Sequence, residues 1–141
     1  MENFNKILYS VNGNIAILTI NRPERRNALD AETLEQINIL LDRAESDEKV
    51  RVILITGQGD TFSSGFDLKD QLEKAPKGKQ WKPILELDHK TIMRFWNSPK
   101  PTIAAVRGAC LAGAFELSLA CDFTICSKDS FFGEPELKFG A

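Results

Sequence analysis

Residues 100–126 have the sequence KPTIAAVRGACLAGAFELSLACDFTIC, and this stretch is the best guide to the fold class. Thr102 to Val106 predict a buried strand, because nearly every side chain is apolar. Gly108 begins a turn of small residues, and Gly113 or Ala114 opens a helix that runs to Ala120. Phe123 to Cys126 then return as a strand. This order of strand, turn, helix and strand is typical of an α/β protein whose helices pack on a parallel sheet.

The N-terminal part of the chain shows the same alternation. Lys6 to Val11 and Asn14 to Ile20 predict two strands joined by Asn12-Gly13, a dipeptide that tolerates the positive φ of a tight hairpin. Asp30 is placed to cap a helix from Ala31 to Glu45. One face of that helix carries the apolar residues Leu34, Ile37, Leu41 and Ala44.

The middle of the chain contains a further strand and a further long helix. Val50 to Thr56 predict an almost wholly apolar strand, and a short helical piece starts at Asp67. The polar stretch Ala75 to Pro83 predicts a mobile loop. Pro83 suits the first turn of a helix that runs to about Asn97. We expect the inward face of this helix to consist of Ile84, Leu87, Ile92, Phe95 and Trp96.

Composition indicates one soluble domain, residues 1–141. Of the 141 residues, 43% are hydrophobic and 27% are charged, and the net charge is -2. A chain of this length can bury about 68–70% of its unfolded surface without disulfides or a metal. The near balance of charge argues against a dedicated nucleic-acid binder. No run of residues resembles a signal peptide or a membrane span, so we expect a cytoplasmic protein that does not bind membranes.

Cysteine and histidine content argues against two kinds of site. Cys110, Cys121 and Cys126 form no C-x-x-C pair and His89 is the single histidine, so no metal site is predicted. We expect all three cysteines to be small buried groups in a reducing compartment. A Ser-His-Asp hydrolase would need His89 as its base, but a solvated histidine is the simpler interpretation.

Two loop segments carry the candidate chemistry, because open α/β sheets keep their sites at strand ends. Thr61 to Leu68 turn sharply at Gly65, and Arg107 to Leu117 lead through small residues into a helix. Free N–H groups at a helix start suit a developing negative charge. Tight packing of the helix on the sheet is the competing interpretation of the small residues. Neither segment contains a complete phosphate-binding motif, so nucleotide hydrolysis is not supported.

Two glutamates are candidates for proton transfer. Glu116 lies in the first turn of a helix among apolar residues, where it either compensates the helix N-terminus or faces a partly dry cavity. Glu136 follows Pro135 and also lies between apolar residues. Carboxyl groups in apolar settings suit general acid and base catalysis. We expect the neighbouring Glu134 to be solvated.

Several motifs occur along the chain in a specific order. They are LTINRP at 18–23 with NAL at 27–29, FSSGFDL at 62–68, KPTIAAVRG at 100–108, FEL at 115–117 with Asp122, and FGEPE at 132–136. With this set the chain resembles the crotonase superfamily, the enoyl-CoA hydratase and isomerase family, from about residue 7 onward. The resemblance implies an α/β spiral of repeated ββα units and a coenzyme A thioester as substrate. It implies no cofactor besides that substrate, and a role in fatty acid metabolism.

The resemblance implies roles for individual residues. The family's oxyanion hole consists of two backbone N–H groups that hold the thioester oxygen as it becomes an enolate, and it falls on Phe66 and Gly113. The two glutamates of the hydratases fall on Glu116 and Glu136. One activates water for attack at C3 and the other exchanges a proton at C2. Family isomerases usually rely on the glutamate at position 136, so Glu116 favours reversible hydration of trans-2-enoyl-CoA over isomerisation or another crotonase reaction.

Contacts to coenzyme A are implied at two segments. The segment with Arg22, Arg25, Arg26 and Ala28 matches the family region that lies along the coenzyme A nucleotide, where cations suit phosphates. Each arginine also has a simpler interpretation as a solvated loop charge. The main chain of Gly65, Phe66, Asp67 and Leu68 resembles the part that holds the adenine.

The chain departs from the family pattern in side-chain size and in length. Phe66 replaces a small residue, and Ala112 and Ala114 replace glycines, so we expect a narrower or differently shaped acyl pocket. Crotonase relatives are roughly twice as long, and their C-terminal helices close the pocket and help to build trimers or hexamers. The sequence therefore predicts an apparently truncated N-terminal core that lacks the C-terminal helical trimerisation region. A non-catalytic acyl-CoA-binding or assembly module is the third interpretation.

Overall fold

The structure is a computed structural model that describes residues 4–74 and 76–139. Its strands and helices follow one another along the chain, with short 3-10 turns at Pro23–Arg25 and Gly78–Gln80. In chain order the elements are β1 (Ile7–Asn12), β2 (Ile15–Ile20), α1 (Ala31–Ser46), β3 (Val52–Gly57), α2 (Leu68–Lys74), α3 (Trp81–Trp96), β4 (Thr102–Val106), β5 (Ala109–Leu111), α4 (Gly113–Ala120), β6 (Phe123–Cys126), β7 (Phe131–Gly133) and α5 (Glu136–Phe139).

Two sheets organise the described residues. The larger sheet has the strand order β1-β2-β3-β4-β6, and β5 pairs with β7 in a second, two-stranded sheet. The β1–β2 pair is antiparallel, which confirms the predicted hairpin, and all other pairs are parallel. The predicted alternation of strands and helices around a parallel sheet is therefore confirmed. The turns that lead into α2 and α4 carry the two loop segments singled out by the sequence.

Helix α1 forms the main cover of the large sheet. Its N-cap is Asp30, whose carboxylate accepts a hydrogen bond from the Thr33 N–H at 2.8 Å, as predicted. Its apolar face packs against β1, β2 and α3. The largest fully buried side chains of the core are Ile7, Leu18, Ile20, Ile37, Leu40, Leu41, Val50, Ile53, Ile55, Phe62, Phe95 and Leu117. Burial of this apolar surface is the main source of stability of the domain.

Helix α3 differs from its prediction in its start and in its inward face. It begins at Trp81 directly after the 3-10 turn Gly78–Gln80, so the predicted loop is shorter; Ala75 lies outside the described residues. Thr91 and Phe95 are buried, whereas Trp96 is 66% exposed. The prediction of an inward Trp96 was wrong, because the residue after Phe95 lies about 100° further around the helix. At this position the side chain faces solvent.

The cysteines differ from the prediction in one position. Cys110 is buried and Cys121 is half-buried, but Cys126 is exposed. Burial raises the pKa of Cys110 to about 11 and of Cys121 to about 12, so both thiols are protonated at neutral pH. Cys126 is exposed because β6 is the edge strand of the sheet, where all four residues are exposed. In the ranges 4–74 and 76–139, no helix is both long and apolar enough to cross a membrane.

Asn27 ties the loop after β2 to the loop after β3. Its side chain is fully buried and its backbone has a φ of 55°. The side-chain amide donates hydrogen bonds to the carbonyl oxygens of Gln58 at 2.9 Å and Thr61 at 2.7 Å. Its carbonyl oxygen accepts from the Arg22 N–H at 2.9 Å. Asn27 therefore fixes the point at which the segment from Thr61 onward leaves the sheet.

We predict that Asn27→Ala lowers the free energy of unfolding by roughly 1–3 kcal/mol, because it leaves three backbone groups in part-buried hydrogen bonds without their partner. Urea denaturation of the purified chain measures this change. Asn21→Ala is the matched control, since the Asn21 side chain makes one exposed hydrogen bond, to the Asn5 carbonyl. We expect the control to change stability by less than about 1 kcal/mol. Equal losses in the two variants would contradict the bridging role of Asn27.

Candidate active site

The two loop segments meet at Gly65. The Ser63 N–H donates to the Ala109 carbonyl and the Leu111 N–H donates to the Ser63 carbonyl, both at 3.1 Å. A Cβ atom on Gly65 would lie 2.5 Å from the Ala112 Cβ and 2.6 Å from the Leu111 carbonyl oxygen. Gly65 also has a φ of +87°, which residues other than glycine rarely adopt. Only glycine permits this approach of the two backbones.

Two N–H groups remain free where the loops meet. On either side of Phe66, the Leu29 N–H donates to the Gly65 carbonyl and the Asp67 N–H donates to the Leu29 carbonyl. Gly113 is the first residue of α4, so its N–H has no acceptor within the helix. Within the described ranges, neither the Phe66 N–H nor the Gly113 N–H donates a backbone hydrogen bond. Such a pair of unbonded donors on facing loops suits an oxyanion.

The Phe66 ring covers Gly113. A Cβ atom on Gly113 would lie 2.2 Å from Cζ and 2.3 Å from Cε2 of the Phe66 ring. The ring therefore occupies the space directly above the first turn of α4, and glycine is the residue that fits beneath it. The Phe66 ring thus takes up room beside the two free N–H groups.

Ala112 holds a backbone conformation that is normally reserved for glycine. Its φ is 56° and its ψ is -137°. The Ala112 N–H donates to the Gly133 carbonyl at 2.9 Å, and its carbonyl accepts from the N–H groups of Phe115 and Glu116. These bonds hold the strained residue in place. The conformation sets the direction in which the following Gly113 N–H points.

The predicted glutamates differ in their environment. Glu116 lies in the first turn of α4 and is exposed, because Ala114, Leu117 and Ser118 form the buried face of the helix. Glu136 begins α5 and is half-buried. Its Oε2 atom is buried without a hydrogen-bond partner.

The expectation of a solvated Glu134 was wrong. Glu134 is half-buried in the short link between β7 and α5. Burial raises the pKa of Glu134 to about 7, and the adjacent Glu136 carboxylate and the charge on Glu116 act in the same direction. The cause is the turn at Pro135, which brings the two glutamates side by side. Glu134 therefore holds its proton up to about neutral pH.

A fourth carboxyl group, Asp88, escaped the sequence analysis. It lies on α3, and burial together with the charge on Glu116 raises the pKa of Asp88 to about 7. Its Oδ1 atom is buried without a hydrogen-bond partner. The signal in the sequence is the spacing of Ile84, Asp88, Thr91 and Phe95, which places an acid within the inward stripe of a helix. Among the described residues, no three Asp, Glu, His or Cys side chains converge closely enough to hold a metal ion.

A cavity of about 90 Å³ adjoins Phe66 and Asp88. It lies between the start of α1, helix α2 and the first half of α3. The cavity is lined by Leu29, Asp30, Ala31, Leu34, Phe66, Asp67, Asp70, Lys74, Ile84, Leu85, Leu87 and Asp88. Most of its exposed lining is apolar, and its charged members other than Asp88 make ion pairs with one another or with neighbouring side chains.

Asp67 is the centre of an ion-pair network behind the site. Its side chain is 4% exposed and lies 2.6 Å from Nη2 of Arg25 and 3.0 Å from Nη2 of Arg22. Arg22 also pairs with Asp30 at 3.1 Å. Burial has the largest single effect on the pKa of Asp67 and raises it, but hydrogen bonds from Arg25, the Asp70 N–H and Arg22 together hold this pKa below its usual value. The network anchors the segment that carries Phe66.

The residues predicted to contact coenzyme A fall into two groups. Arg22, Arg25 and Asp67 bind one another, and the Ala28 carbonyl accepts a hydrogen bond from the Arg22 guanidinium. Arg26 and Leu68 are exposed, and within the described residues Arg26 makes no ion pair, so it is the arginine available to a phosphate.

Comparisons with known proteins agree on one family. The family model described as enoyl-CoA hydratase/isomerase matches residues 10–141. A Bacillus subtilis (strain 168) protein named "Probable enoyl-CoA hydratase" is 39% identical over 137 residues, which are 96% of this chain and 52% of that protein. A short-chain-enoyl-CoA hydratase of Clostridium acetobutylicum is 33% identical over 138 residues, with the same coverage of 96% and 52%.

Solved structures give the same result. The crystal structure of an enoyl-CoA hydratase/isomerase from Xanthobacter autotrophicus Py2 matches with a TM-score of 0.97 and 58% identity. The match covers 99% of this chain and 52% of that one. The chain thus spans about half the length of the relatives it matches, and over this half it has the crotonase fold.

We predict that Asp67→Asn lowers the free energy of unfolding at pH 7, because it leaves Arg25 without its charge partner and leaves Arg22 with Asp30 alone. The pKa of Asp67 is lowered in the folded chain, so its contribution is present above the unfolded value near about 3.9 and is lost as pH falls through the folded value. The difference between variant and wild type should therefore shrink below about pH 4.

Urea denaturation at pH 7 and pH 3 measures the effect of Asp67→Asn. Asp60→Asn is the control, since Asp60 is exposed. A loss that is independent of pH would contradict an electrostatic origin.

We predict that Ala112→Gly raises the free energy of unfolding by about 1 kcal/mol, because relief of the strained φ outweighs the added entropy of the unfolded chain. Ala114→Gly, at the second residue of α4, should lower the free energy of unfolding by about 1 kcal/mol. Thermal denaturation of the two variants compares them directly. Destabilisation of similar size in both would mean that Ala112 is not strained.

Proposed function

Because the chain belongs to the enoyl-CoA hydratase/isomerase family, we propose that it supplies the acid, the base and the oxyanion hole of an enoyl-CoA hydratase. The reaction is the reversible addition of water to a trans-2-enoyl-CoA. The substrate would be an acyl-CoA thioester, with Arg26 facing a phosphate of the nucleotide and the main chain of Gly65 to Leu68 beside the adenine. Trimeric or hexameric assembly and a cytoplasmic location stay predictions.

The observation that carries the proposal is the pair of unbonded N–H groups at Phe66 and Gly113. A thioester oxygen between them accepts two hydrogen bonds, which strengthen as negative charge develops in the enolate. One such donor contributes about 3–4 kcal/mol to transition-state stabilisation. The Gly113 donor is also the first N–H of α4, so the positive end of the helix dipole acts on the same oxygen.

The glutamates supply the proton transfers. Glu116 is exposed and so accessible to the water that attacks C3. Removal of a proton from that water by Glu116 makes it a nucleophile. Glu136 has a buried oxygen without a hydrogen-bond partner among the described residues, so this oxygen is free to exchange a proton with C2 of the enolate.

Isomerisation is the second candidate, and the Glu134–Glu136 pair favours it. An isomerase needs one group that removes a proton at one carbon and returns it at another, and Glu134, whose pKa burial raises to about 7, can do both near neutral pH. Glu116 separates the two reactions, because isomerisation does not need activated water. A non-catalytic acyl-CoA-binding module would need neither glutamate.

We predict that Glu116→Gln and Glu136→Gln each lower the rate of crotonyl-CoA hydration by about 10²–10⁴-fold, because each removes a general acid or base. Loss of absorbance of the conjugated thioester measures the rate, and mass spectrometry identifies the hydrated product. Glu24→Gln is the matched control, since Glu24 is exposed in the loop after β2.

Two other outcomes would point to a different function. If Glu136→Gln is inactive while Glu116→Gln keeps a double-bond shift without gain of water, the isomerase reaction is favoured. If the folded chain binds crotonyl-CoA and converts none of it, the hydratase proposal fails for this chain.

A further inference from the structure

Asp88 is a carboxyl group that the proposed hydration does not use. It lies on α3 beside the 90 Å³ cavity whose wall also includes Phe66, the residue that provides one oxyanion donor. The other carboxylates around this cavity have partners: Asp30 pairs with Lys6, Asp67 with Arg22 and Arg25, and Asp70 with Lys74. Asp88 alone among these lining carboxylates has a buried oxygen, Oδ1, without a hydrogen-bond partner.

An unpartnered buried carboxyl oxygen is costly to the fold. A polar group of this kind loses its hydration without compensation. The surrounding side chains Leu29, Leu34, Ile84 and Leu87 cannot supply a hydrogen bond. A leucine at position 88 would fill the apolar stripe of α3 without this cost. The carboxyl group is therefore suited to a partner that enters the cavity.

The cavity limits the size of that partner. A volume of about 90 Å³ corresponds to about three groups the size of a water molecule. Phe66 connects the cavity to the free N–H groups, since its ring covers Gly113 while its own N–H is one of the two donors. A group attached to the acyl chain just beyond the reacting carbons has the size to enter this space.

We propose that Asp88 is a specificity-determining residue that selects a short acyl group bearing a hydroxyl beyond the reacting double bond. The inference rests on the proposed function, because it takes the acyl part of a coenzyme A thioester as the occupant of the cavity. A hydroxyl forms a hydrogen bond with either protonation state of the carboxyl group, and an unsubstituted alkyl chain leaves Oδ1 without a partner. A site built to bond a substrate hydroxyl rejects analogues that lack it.

Binding of two saturated thioesters tests the selection without requiring turnover. Isothermal titration calorimetry gives the dissociation constants of 4-hydroxybutanoyl-CoA and butanoyl-CoA. We expect the wild-type chain to bind the hydroxylated thioester at least about tenfold more tightly. Asp88→Leu should remove or reverse the preference, and Asp88→Asn, which keeps a hydrogen-bonding group of the same shape, should retain part of it.

The matched control is Glu86→Gln on the same helix, because the Glu86 side chain is 64% exposed. We expect its preference to equal that of the wild type. Circular dichroism shows whether Asp88→Leu folds. If it does not, the ratios of the two dissociation constants for the wild type and for Asp88→Asn still test the proposal. Equal binding of the two thioesters by the wild type overturns the role of Asp88 alone. If neither thioester binds the folded wild type, the proposed function fails, and this inference fails with it.

Discussion

The close approach of Gly65 to Ala112 is the constraint on which the rest of the site depends. Two segments that are far apart in the sequence come within van der Waals contact there, and a single added Cβ would separate them. Asn27 and the ion pairs of Asp67 hold one segment from behind. The paired strands β5 and β7 hold the other. The Phe66 ring and the first residue of α4 stay in contact because neither segment can relax away.

Burial, assisted by repulsion between neighbouring carboxyl groups, shapes the chemistry of the site. Burial and then the charge of Glu116 raise the pKa of Asp88, and burial and then Glu136 and Glu116 raise the pKa of Glu134. Asp88 and Glu134 can therefore hold a proton up to about neutral pH. Asp67 shows the opposite behaviour, because its arginine partners keep it ionised. Ionised and protonated carboxyl groups thus coexist within one small region, as acid and base catalysis requires.

The structural features that the sequence predicted correctly are those set by local residue patterns and by the order of motifs along the chain. The hairpin, the Asp30 cap of α1, the start of α4 and the pairing of strand with helix are all set by neighbours in the chain. The errors concern which side of an element is covered, and this depends on distant segments. Trp96 and Cys126 are apolar but face solvent. The pKa values of Asp88 and Glu134 are raised mainly by burial and in part by Glu116 on another helix, and the residues next to them in the sequence do not reveal this.

The free N–H groups of Phe66 and Gly113 also make the site visible to hydrogen exchange. Their neighbours Asp67 and Ala112 donate to backbone carbonyls and exchange only when the loops open. Within the described residues, Phe66 and Gly113 donate no backbone hydrogen bond of this kind. A ligand that accepts hydrogen bonds from these two amides would slow their exchange. Occupancy can therefore be followed residue by residue without any chemical turnover.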